Sequence, residues 1–205
     1  MQRVLRRLDF VSKDEILTQK GQIICDISGA DELLTAELLF NGFFKDLTLE
    51  EIGAAIYCCL SKENNSKKED EKPLAKNKNA QEKINKIYET IKEKAKYIGE
   101  ILEECRIFGK NESKDYVDSF NDIYMMPIYK WISGISFANL IKEFETLYEG
   151  SLIRVIRRIE EFSKSFIISA QTIGDNNLQN KLEQMESKIK RGLPFTASLY
   201  LETTK

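Results

Sequence analysis

Apolar residues recur at helical spacing along most of the chain. The clearest case lies between Tyr148 and Ala170, where Leu152, Val155, Ile156, Ile159, Phe162, Phe166 and Ala170 follow one another at intervals of mostly three and four. At about 100° per residue they make one broad stripe that must face a core. Nearly opposite stand Arg154, Arg158, Glu161 and Ser165, at i, i+4, i+7 and i+11. Gly150 is expected to break the preceding element. Ser151 can cap the new helix by accepting from its first free N–H groups.

The same reading covers the rest of the chain. Residues 3–8 (Arg-Val-Leu-Arg-Arg-Leu) read as the last turns of a short basic helix. Residues 15–27 hold two β-prone runs flanking Lys20-Gly21, a pattern that predicts a hairpin. Asp31 to Gly42 predicts a helix with an acidic first turn and a glycine stop. Thr48 and Glu51 have capping-box spacing and open a largely buried helix to about Lys62. Residues 62–81 are rich in Lys, Glu, Asn and Ser and read as a solvated linker. A long helix from about Ala80 to Ile107 follows, with Ile84, Ile87, Tyr88, Ile91, Ala95, Ile98, Leu102 and Cys105 on one face. Ser113 is expected to cap a helix to about Ser133, kinked or split at Pro127. Ser136 should cap the next, running to Tyr148. Past Gly174, Leu178, Leu182, Met185 and Ile189 mark a last amphipathic helix, stopped by Gly192 and Pro194. Residues 195–201 form an apolar tail expected to dock onto the bundle.

These elements give an all-α helical bundle over 28–205. Residues 1–27 form a short helix and hairpin like the end of a winged-helix region. Too little chain precedes them to complete such a fold, so the chain reads as part of a longer protein.

Composition narrows the chemistry. With 31 Lys and Arg against 33 Asp and Glu, the chain is not a globally basic nucleic-acid module, though a local basic face can exist. There are no histidines, which removes His-based acid–base catalysis and most metal sites. Cys25, Cys58, Cys59 and Cys105 form no C-x-x-C and read as free buried thiols in a reducing compartment. No apolar run approaches the roughly 18 residues of a membrane span, and an intracellular, soluble protein is expected. No phosphate-binding P-loop, dinucleotide fingerprint or serine nucleophile elbow occurs. The adjacent pairs Glu50-Glu51, Glu103-Glu104 and Glu160-Glu161 do not converge on a helix. The chain itself is expected to have no catalytic residue, no metal and no cofactor.

The polar stripe has two readings. It is either a solvated face with an Arg158–Glu161 pair, or a face turned to a polynucleotide. Arginine can grip phosphate or stack on a base, and a glutamate can accept from a base amino group.

The chain resembles a known family in an ordered series of segments. They are 3–8 with Phe10-Val11, then Lys20-Gly21, Cys25, Ile27-Ser28, Asp31–Leu34, Glu37-Leu38 and Phe40–Gly42. The series resumes at Tyr116-Val117, Ser119-Phe120, Tyr129, Trp131, Gly134 and Phe137, and ends with Glu149–Glu161, Ile173-Gly174 and Ser198–Leu201. It is similar to the C-terminal helical (DSHCT) domain of DExH-box RNA helicases that feed the RNA exosome. The Ser-Leu-Tyr-Leu ending looks more like the nuclear helicase of the TRAMP complex than its cytoplasmic superkiller paralogue. Asp9 stands where the family usually has glycine, Gln22 where it has arginine, and Gly192 and Pro194 interrupt its usual ending.

The resemblance implies that the helix from Ser151 is the ratchet helix along which RNA leaves the motor. It implies Arg158 and Glu161 as RNA-base contacts, with Arg154 nearby and Glu63 as a further RNA-contact position. It implies a parent ATP-dependent 3′–5′ RNA helicase whose RecA-like domains bind ATP and Mg²⁺. The implied partners are single-stranded RNA, those motor domains, the nuclear exosome and TRAMP-type adaptors, with no membrane, and the implied location is the nucleus, or the cytoplasm for the paralogue. The competing reading is a helical protein-interaction module with the arginine stripe merely solvated.

Overall fold

The computed structural model describes residues 1–60 and 78–196. It contains ten α-helices among the described residues: α1 Gln2–Arg7, α2 Gln19–Asp26, α3 Glu32–Phe40, α4 Leu49–Cys59, α5 Lys78–Glu104, α6 Lys110–Ser119, α7 Met125–Ile132, α8 Phe137–Glu143, α9 Glu149–Ile173 and α10 Asn176–Ile189. A 3₁₀ turn at Leu193–Phe195 follows. Among the described residues the only β-type pairings are isolated bridges, Val11 with Leu17 and Ala30 with Leu60. The expected all-α bundle is therefore what forms.

Two caps stand where residue chemistry places them. The Thr48 hydroxyl accepts from the Glu51 N–H while the Glu51 carboxylate accepts from the Thr48 N–H at 2.9 Å. Asp31 caps α3 by accepting from the Leu34 N–H at 2.8 Å, and also takes the Tyr116 hydroxyl at 2.9 Å. Burial raises the Asp31 pKa above the usual carboxylate value, against the opposing pull of those two hydrogen bonds. The α4 helix, with Ile52, Ala54, Ala55, Ile56 and Cys59 fully buried, packs on α5, α7, α9 and α10. It is the inner post of the bundle.

Three local expectations are corrected. The hairpin around Lys20-Gly21 is instead the helix α2. Thr18 is its N-cap, accepting from the Gly21 N–H at 3.0 Å while its own hydroxyl donates to the Asp9 carbonyl. Gly21 lets this helix lie directly on Phe10, since a Cβ there would come within 2.1 Å of the Phe10 carbonyl oxygen. The β-prone Ile23-Ile24 pair is overridden by tertiary packing, with Ile23 fully buried. Second, the helix expected from Ser113 to Ser133 is two helices. Gly109 replaces Ser113 as the cap, and the Glu112 carboxylate accepts from the Gly109 N–H at 2.7 Å. The break falls at 120–124, before Pro127, because side chains from elsewhere hold it open. Tyr88 donates to the Phe120 carbonyl at 2.9 Å and Tyr57 to Asn121 at 2.5 Å. Pro127 then sits in the first turn of α7, where a missing N–H costs nothing. Third, α8 is shorter than expected and ends at Glu143, with Phe144 and Leu147 buried in the connection to α9.

The departure at Asp9 has a backbone consequence. Its φ is +57°, in the left-handed region that glycine occupies freely and aspartate tolerates better than most residues.

Candidate nucleic-acid interface

The site is built on α9. Its core face is the one that the periodicity marked: Leu152, Ile156, Ile159, Phe162, Phe166 and Ala170 are buried. They pack against α2, α3, α4 and α10. The helix begins earlier than Ser151. Tyr148 is the N-cap, and its carbonyl accepts from the Ser151 and Leu152 N–H groups at 3.1 Å each. Gly150 therefore lies inside the first turn rather than breaking the chain. The far end closes at Gly174 in a left-handed C-cap, as the sequence indicates.

Helical geometry carries Arg154, Arg158 and Glu161 onto one side of α9, within about 60° of each other. Arg154 and Glu161 are exposed and Arg158 is half-buried. The Arg158 guanidinium donates to the Gly29 carbonyl at 3.1 Å, across the turn between α2 and α3. Arg157, one position away, donates through Nε to the Pro194 carbonyl and so anchors the 3₁₀ turn. Of the adjacent glutamates, Glu161 is exposed while Glu160 is buried. Lys164 and Lys190 bring their ammonium groups to 3.1 and 3.4 Å from the Glu160 carboxylate. The hydrogen bond that Lys164 donates to Glu160, then the glutamate's charge, raises the Lys164 pKa above the usual lysine value. Glu63 lies outside the described residues.

The polar face has defined ends. At the C-terminal end the Thr172 hydroxyl donates to Asp26 at 2.8 Å, and α2 covers the helix there. At the N-terminal end stands Tyr148, 67% exposed, with its ring edge over Gly150. Sequence reading missed both Gly29 and Tyr148. The Gly29–Arg158 contact spans 129 residues and has no local signal. An aromatic residue just before a helix ordinarily reads as core.

Other chemistry is sparse. No group of three or more His, Cys, Asp or Glu among the described residues could hold a metal. No helix among the described residues is long and apolar enough to cross a membrane. A groove of about 570 Å³ is lined by Arg3, Arg6, Arg7 and Lys13 with Asp9 and Glu104. Two of its arginines are already paired, Arg6 with Glu15 and Arg7 with Glu104, both at 2.7 Å.

Comparison with known proteins places this geometry in context. Residues 14–196 match the model of the DSHCT (NUC185) domain family. The chain is 37% identical over 199 residues to the Exosome RNA helicase MTR4 of Homo sapiens, covering 97% of this chain and 18% of that protein. It is equally 37% identical to the ATP-dependent RNA helicase mtr4 of Schizosaccharomyces pombe, covering 97% of this chain and 17% of that relative. The Antiviral helicase SKI2 of Saccharomyces cerevisiae is 27% identical, over 97% of the chain and 15% of its own length. The chain thus spans less than a fifth of the length of these relatives.

Proposed function

The chain belongs to the DSHCT (NUC185) domain family, and from that premise we propose that it is the RNA-channel domain of an ATP-dependent 3′–5′ RNA helicase. The parent protein, with RecA-like motor domains that bind ATP and Mg²⁺, unwinds RNA and delivers it to the nuclear exosome. Residues 1–27 hold α1 and α2, and α2 packs on α3 and α9 as part of the bundle. TRAMP-type adaptors are its partners, and the nucleus is its place of work. A SKI2-like cytoplasmic role is the paralogous form of the same reading.

The observation that carries this reading is the arrangement on α9. Its apolar face is buried among four helices, while Arg154 and Glu161 remain exposed on the other side with Arg158 beside them. A channel wall needs that combination: a rigid rod with charged groups on one open line. Arg154 and Arg158 hold phosphates, Glu161 selects among bases by accepting an amino hydrogen, and no bond is broken here. Glu63 is a further RNA-contact position in this reading.

The test is the salt dependence of single-stranded RNA binding by the full-length protein. Each phosphate contact contributes about 0.7 to the slope of log K against log salt. Replacing Arg154 and Arg158 together with alanine is expected to lower the slope by about 1.4 and to impair unwinding, while the loss of the Arg158–Gly29 bond costs only about 1 kcal/mol of stability and leaves the domain folded. Glu161→Ala should shift base preference with the slope unchanged. Identical slopes for the wild type and the double-arginine variant would favour a protein-interaction module instead.

A further inference from the structure

Resting on the RNA-channel reading above, we infer that Tyr148 is a base-stacking platform at the N-terminal end of the α9 face, taking an unpaired base of single-stranded RNA. Tyr148 is 67% exposed, although Leu147 before it and Leu152 one turn further on are buried. Its phenol hydroxyl makes no hydrogen bond among the described residues. The backbone beneath it is fixed, because its carbonyl accepts from both the Ser151 and Leu152 N–H groups. A large aromatic is thus presented to solvent from a rigid helix start.

Gly150 sets where the ring lies. A Cβ at this position would sit 2.7 Å from Cε1 of Tyr148 and 3.4 Å from Cδ1. Only glycine leaves the ring room to settle on the first turn. Gly150 is also four residues before Arg154, on the same line of the helix as Arg154, Arg158 and Glu161. Along the axis, the helix rises about 6 Å from Gly150, beside the ring, to Arg154. One strand can lay a base on the ring and its phosphates on the arginines. Stacking is indifferent to base identity, since every base has a π-face, and it requires an unpaired base. The platform therefore favours single strands over duplex without adding sequence preference.

The experiment measures RNA binding by the full-length protein carrying Tyr148→Ala, Tyr148→Leu, Tyr148→Phe or Tyr148→Trp. Alanine and leucine are expected to weaken single-stranded RNA binding by about five- to 150-fold, the range of base–aromatic stacking. Phenylalanine and tryptophan should restore it, because they keep the π-face. The salt slope should stay at the wild-type value in all four, since no phosphate contact is lost. On an abasic ribose–phosphate oligomer, wild type and Tyr148→Ala should bind alike. Leucine binding as well as tyrosine would overturn the platform, as would an equal loss on the abasic strand. If the Arg154/Arg158 variant alters the slope while Tyr148→Ala changes nothing, stacking fails and the channel reading stands. If neither variant affects RNA binding, both fail.

Discussion

Truncating Trp131 to alanine is expected to cost about 3–5 kcal/mol of folding stability, the range for deleting a fully buried aromatic. Trp131 has no exposed surface. Its indole N–H donates to the Ile189 carbonyl at 2.9 Å, so a side chain from α7 satisfies one of the carbonyls left over at the end of α10. The debt is returned from the other side. Arg191, just past α10, donates to the carbonyls of Trp131 and Ile135 at the end of α7. Its guanidinium also stacks 3.8 Å above the indole. Each helix thus terminates the other. Pro194, three residues beyond Arg191, accepts from Arg157 on α9, so loosening this node also loosens the hold on α9. Trp131→Phe keeps most of the packing but strands the Ile189 carbonyl, and should cost about 1–3 kcal/mol. Urea unfolding of the two variants checks this; a Trp131→Phe variant as stable as the wild type would mean that the indole N–H contributes nothing.

The second large effect is expected at the ion pair of Lys20 and Glu37. The two residues are only 8% and 6% exposed. The Lys20 ammonium contacts the Glu37 carboxylate, donates to the Leu8 carbonyl at 2.8 Å and lies 4.8 Å from the Phe10 ring centroid. Asn41 donates to the other Glu37 oxygen at 2.7 Å. Lys20→Met leaves a buried carboxylate facing a thioether, and should destabilise by about 3–5 kcal/mol. The double variant Lys20→Met/Glu37→Leu should recover most of that loss, because a buried pair stands near balance against apolar replacements. A double-mutant cycle measures the difference. Costs that simply add would show that the two charges do not depend on each other.

How much of this was legible in the sequence follows from which interactions are local. The face of α9 was legible because each of its buried residues lies three or four positions from another, and a helix needs no further information. The caps at Thr48 and Ser136 were legible for the same reason: donor and acceptor are three residues apart. The hairpin was misread because Ile23, Ile24 and Gly21 fit a strand locally. What decides for helix is Phe10, against which Gly21 packs, and Glu37, which receives Lys20. The break before α7 was placed at Pro127 because proline is the visible breaker. The structure places it at Phe120–Asn121, held by Tyr88 and Tyr57 from distant helices. At the candidate site the three charges were legible as a stripe. Their different circumstances were not: Arg158 leans on Gly29, Arg157 is tied to Pro194, and Arg154 is left open.

The central claim is that RNA runs along the open side of α9. Photocrosslinking a 4-thiouridine single strand to the full-length protein and mapping the attached peptides tests it directly. The account predicts attachment on the segment from Tyr148 to Ser165, centred on Arg154, Arg158 and Glu161. Attachment confined to other helices, with that segment unmodified, would contradict it.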